Sequence, residues 1–141
     1  MKKALLIMLG LFLCTSSLTV NADLSGLIRK RCTCYLDRGV TASGHYTRHG
    51  IIAGRRADLG KVAAIYECDS DGNVGGFIGY YEFLDTGAGI DTDGDGKGDS
   101  LKKGLSIDVY QDSMHEAREW IKEHGDYVYI KYIEADRKSV V

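Results

Sequence analysis

Short apolar runs alternate along the chain with breaks rich in glycine and aspartate. Five runs, "GIIAG", "KVAAIYEC", "GGFIGYYEFLD", "LSIDVY" and "DYVYIKYIEA", carry alternating or continuous apolar positions and are rich in Val, Ile and Tyr. That patterning predicts strands. The segment "DSDGNVGG" between the second and third runs is a hairpin-turn signal. A different period governs "SMHEAREWIKEHG", where Met114, Ala117, Trp120 and Ile121 share one helical face. Ser113 is placed to cap that helix, Glu116 stands three residues on, and Gly125 marks its end. No proline, repeat or low-complexity linker suggests a domain boundary. Six or so short strands and one helix in the C-terminal half predict a mainly β fold, a small closed barrel rather than a layered α/β sheet.

The opening residues do not belong to that pattern. Lys2 and Lys3 precede the apolar run "ALLIMLGLFL", and "VNA" supplies small residues before a cleavage point after Ala22. Residues 1–22 therefore read as a signal peptide, leaving residues 23–141 as one secreted, extracytoplasmic domain of the cell envelope. No later segment is apolar enough to span a membrane. Without Lys2 and Lys3, 16 basic residues face 20 acidic ones, a net charge of −4. With no basic stripe, nucleic acid is not an expected partner, and a monomer is expected.

Three cysteines follow the leader. In an oxidising compartment, Cys68 is expected to pair with Cys32 or Cys34. Zinc is the alternative, since the C-x-C is followed by His45 and His49.

Residues 91–102, "DTDGDGKGDSLK", look like a metal loop. Asp91, Asp93 and Asp95 alternate, Lys97 and Asp99 complete the candidate set, and Gly94, Gly96 and Gly98 allow the chain to curl around a hard cation. This resembles the first part of an EF-hand-type or thrombospondin-type loop, with calcium as the expected structural ion. Lys102 stands where an EF-hand places its bidentate glutamate. No organic cofactor is expected.

Removing those twelve residues joins "LDTGAGI" to "KGLSIDVY". The resulting D-T-G-x-x-I-K-G-x-x-x-D-x-Y resembles the 3D (Asp-Asp-Asp) domain family, related to the catalytic core of membrane-bound lytic transglycosylase A. The family's further motifs appear in order: Thr41-Ala42-Ser43-Gly44, Ile52-Ala53, Leu59-Gly60, Glu116-Ala117 and "YVYI". The resemblance covers about residues 40–133. It implies a double-psi β-barrel acting on peptidoglycan glycan strands. Asp108 would be the acid/base, Asp85 its supporting carboxylate, and Thr41 a residue lining the cleft.

One carboxyl group suits the implied reaction. A lytic transglycosylase protonates the oxygen leaving the MurNAc–GlcNAc bond while the muramic acid's 6-hydroxyl closes a 1,6-anhydro ring. The same carboxylate can accept the hydroxyl proton. A conventional glycosidase needs a second carboxyl group. Asp108 must then hold its proton well above about pH 3.9, through burial and the like charge of Asp85.

One position departs from the family. "IIAGRRADLG" puts Arg55 or Arg56 where the first aspartate is expected, with Asp58 out of register. An arginine beside Asp85 or Asp108 would keep them ionised and oppose general-acid work; it could instead bind a substrate carboxylate. Arg55 and Lys103 thus join Thr41 as candidate substrate-binding residues. The rival expectation is a non-catalytic cell-wall glycan-binding barrel with a calcium-stabilised loop.

Overall fold

The computed structural model describes residues 25–134, so the leader and its cleavage point lie outside the described residues. Six strands occur in chain order: β1 (Ile28–Tyr35), β2 (Ile51–Gly54), β3 (Val62–Cys68), β4 (Val74–Thr86), β5 (Ser106–Tyr110) and β6 (Tyr127–Ile133). One helix, α1 (Met114–His124), lies between β5 and β6. The strands close into a ring in the order β1-β5-β2-β4-β3-β6. Two neighbouring pairs, β1–β5 and β2–β4, are parallel, and the antiparallel pair β2–β5 joins them. The mainly β class with a single helix is as the sequence predicts.

Five strands sit where the apolar runs place them. β1, "IRKRCTCY", lacks the signal because one inward position is Lys30. That lysine is buried and donates from Nζ to the Gly104 carbonyl. Its pKa is lowered by burial and by the nearby Arg55 charge. The β3–β4 turn is organised by Asp69, whose carboxylate accepts the backbone N–H groups of Asp71 and Asn73.

The core lies inside the ring. Ile52, Ile65, Phe83, Ile107, Val109, Val128 and Ile130 fill it, and Trp120 of α1 closes over them. The helix forms as its caps predict: Ser113 Oγ accepts Glu116 N–H, and Glu116 Oε2 accepts Asp112 N–H. Gly125, at φ 75°, ends it. Of the four residues on its apolar face, Ala117 and Trp120 are buried, while Met114 remains 54% exposed.

The expected disulfide is absent among the described residues: Cys32, Cys34 and Cys68 are all free thiols. Strand β6 lies between β1 and β3, so two interstrand spacings, about 10 Å, separate the backbones carrying Cys68 and the C-x-C. A disulfide requires Cα atoms within about 7 Å. Among the described residues no metal-capable group joins His45 or His49 to a cysteine; His49 lies with Asp112 and Glu116 instead.

Candidate functional site

Register across four neighbouring strands builds one row of side chains. Thr33 of β1 pairs with Asp108 of β5, Asp108 pairs with Ala53 of β2, and Ala53 pairs with Asp85 of β4. Side chains alternate along a strand, so Ile107 and Val109 enter the core while Asp108 faces the other way. In the β2–β4 pairing the register jumps from Ile52–Phe83 to Ala53–Asp85, leaving Leu84 as a bulge. Such a bulge re-aims the residues that follow it. Here it brings Asp85 level with Ala53.

Asp85 and Asp108 line one cleft of about 350 Å³, together with Tyr35, Asp37, Ala53, Thr86, Gly87 and Ala88. Asp85 is fixed by three donors: Tyr35 Oη to Oδ2 at 3.0 Å, Ala42 N–H to Oδ1 at 3.0 Å and Thr86 N–H to Oδ1 at 2.9 Å. Asp108 has one described side-chain donor, Thr33 Oγ1 at 3.0 Å. Burial pushes the Asp108 carboxyl up to about 6; the charges of Asp37 and Asp85 add to the rise, and the Thr33 bond opposes it. Burial and the neighbouring Asp85 charge also raise the Tyr35 phenol, keeping it a donor.

Those features define two carboxyl groups of unequal character. Asp85 is held by three donors on its two oxygens. Asp108 can exchange a proton near neutral pH, as a general acid/base must.

The three candidate substrate-binding residues do not line this cleft. Thr41 is buried beneath the "TASG" turn, where its hydroxyl bonds Ser43 Oγ and accepts His45 N–H. Its part is to shape the turn that aims Ala42 N–H at Asp85. Arg55 turns to buried Asp58, with Nε donating to Oδ2 at 2.8 Å, because a full carboxylate three residues away attracts it. Lys61 and Tyr132 complete the Asp58 cluster. Arg55, one of the two arginines expected to oppose Asp108, is therefore engaged elsewhere, and neither Arg55 nor Arg56 lines the cleft. Lys103 is drawn to the acidic loop, 2.7 Å from Asp99 Oδ2 and 3.4 Å from Asp93 Oδ2.

In that loop, carboxylate oxygens of Asp91, Asp93 and Asp99 lie within 4.8 Å of one another. Asp95 and Lys97 do not join them; Asp95 Oδ1 accepts the Lys97 N–H instead. Backbone N–H groups of Asp93, Gly94 and Gly96 donate to Asp91. The Lys103 ammonium supplies positive charge beside Asp93 and Asp99. The neck of the loop is tied by Asp99 and Ser100 N–H groups on Ile90 O, and by Ile90 N–H on Ser100 Oγ. Gly89, at φ +78°, packs so tightly there that an added Cβ would lie 2.2 Å from Ser100 Oγ. Residues 91–99 thus form a loop within the β4–β5 connection, closed at its neck between Ile90 and Ser100.

Sequence reasoning missed Asp37, Tyr35, Thr33 and the spacing role of Ala53. Thr33, Tyr35 and Asp37 recur every second residue, the signal a recognised β1 strand would have supplied. No protein-family model, curated protein or solved structure matches the chain.

Proposed function

We propose that the protein is a secreted, peptidoglycan-cleaving enzyme of the lytic transglycosylase type. One observation carries this reading: Asp108, pushed up to about 6, shares a cleft with a rigidly held Asp85 across the single small residue Ala53. Asp108 protonates the glycosidic oxygen as the bond breaks, then takes the proton of the 6-hydroxyl that closes the anhydro ring. Asp85 offers fixed negative charge to the oxocarbenium-like centre. In the same reading the ring is a double-psi barrel, supported by the two parallel pairs flanking an antiparallel one. Calcium at Asp91, Asp93 and Asp99 would displace the Lys103 ammonium and stiffen the loop.

Digestion of purified peptidoglycan with the mature chain tests the proposal. The expected products are 1,6-anhydro-muropeptides, read by mass spectrometry. Glycan binding with no anhydro product from pH 4 to 8 would leave the rival reading, a glycan-binding barrel without catalysis.

A further inference from the structure

A second cavity of about 520 Å³ lies between β1 and α1, with Thr33, the Asp108 donor, on its lining. Its lining includes Cys32, Cys34 and Met114, three sulfur side chains, with Arg31, Arg118 and Lys122 among its charged residues. Cys32 and Cys34 are two residues apart on β1 and so face the same side. Cys34 Sγ lies 3.9 Å from the Ala117 carbonyl of α1. Cys32 is fully buried against Trp120. The Trp120 indole N–H is buried without an acceptor, and Trp120 shares the core cluster with Cys32.

We propose that this C-x-C, with Met114 at the mouth, is a binding site for a soft monovalent cation of the cuprous type. The two sulfurs suit an ion better than a bond to each other. Cβ atoms two residues apart in an extended strand stand about 6.5–7 Å apart, whereas a disulfide draws them to about 3.8 Å. Two metal–thiolate bonds of about 2.3 Å each hold sulfurs about 4.6 Å apart when they lie opposite one another. Thiolate and thioether donors select cuprous ion over the hard cations that carboxylates prefer.

Trp120 supplies the independent observation. A thiol is a weak acceptor and leaves the indole N–H poorly satisfied; a metal-bound thiolate accepts it well. Binding releases one proton from each thiol to solvent, and no electron moves. Two thiolates and one monovalent cation leave a net charge of −1, set against three cations, Arg31, Arg118 and Lys122, and one anion, Asp126, on the lining. The site is independent of the glycan-cleaving proposal, and neither stands or falls with the other.

The test is an anaerobic titration of the mature chain with cuprous ion against a chromogenic cuprous chelator. One equivalent should bind and quench Trp120 fluorescence. Cys34→Ser should lose both effects, and Cys68→Ser should keep them. In the unsubstituted protein, bound ion should shield Cys34 but not Cys68 from alkylation, a readout that survives if the variant misfolds. No uptake against the chelator, or equal alkylation of Cys34 with and without the ion, overturns the site.

Discussion

Asp85 and Asp108 are both register partners of the same residue, Ala53, from opposite sides. Their backbones are therefore two interstrand spacings apart, about 10 Å, with a single methyl group between them. A larger side chain at this position would fill the space between the carboxyl groups. Ala53→Val should cost about 1–3 kcal/mol through overpacking, since Ala53 is only 2% exposed. It should also remove most peptidoglycan cleavage while the circular-dichroism spectrum stays native. Undiminished turnover would place the chemistry outside this cleft.

Asp108→Asn should abolish cleavage, because an amide cannot surrender a proton to the leaving oxygen. Its stability should differ from the native chain in a pH-dependent way. The raised pKa of Asp108 means the folded state binds its proton more tightly than the unfolded chain. That stabilising contribution is complete below about pH 4 and is lost as pH rises through about 6. The variant avoids this loss, so it should be more stable than the native protein at pH 7.5, by on the order of 3 kcal/mol for a shift from 3.8 to about 6. The gap should close by pH 4. Thermal melts at both pH values check the sign.

Asp37 is second to burial among the influences that raise Asp108. Asp37→Asn should therefore lower the Asp108 pKa. Activity requiring a protonated Asp108 falls as pH rises, and in the variant that fall should begin at lower pH. Rate profiles from pH 4 to 8 resolve the difference. Superimposable profiles would mean that the Asp37 charge does not reach the site.

Lys103 already contributes a cation to Asp93 and Asp99. Its Asp99 partner is held well below the usual carboxylate range, first by Lys103 and then by Thr92. Lys103→Met should tighten calcium binding by roughly tenfold, because an incoming ion no longer competes with the ammonium. Asp93→Ala should weaken it. Isothermal titration of the two variants beside the parent measures both; unchanged affinities would remove the loop as a calcium site.

What the sequence made legible follows the range of the forces involved. Ser113, Glu116 and Gly125 act within a few residues, and the helix they delimit forms where they place it. Hairpin chemistry at Asp69 is equally local. Asp85 and Asp108 could be paired from the sequence only through a family resemblance, since the Ala53 register linking them depends on the whole ring. Asp37 stayed hidden because β1 buries a lysine where a valine would have revealed a strand. Arg55 and Lys103 were assigned to the cleft, yet each follows a nearer carboxylate, Asp58 or Asp99. Long cations are poorly placed by motif position, because the closest anion decides where they go.

Pairing Thr33 with Asp108 ties together positions separated by 75 residues. Such distant partners meet late in folding, after the loop-closure entropy between them has been overcome. A nascent or half-collapsed chain therefore carries all its acidic residues but no working centre. On the proposed function, closing the strand circle is what completes the carboxylate pair, so cleavage should require the finished fold.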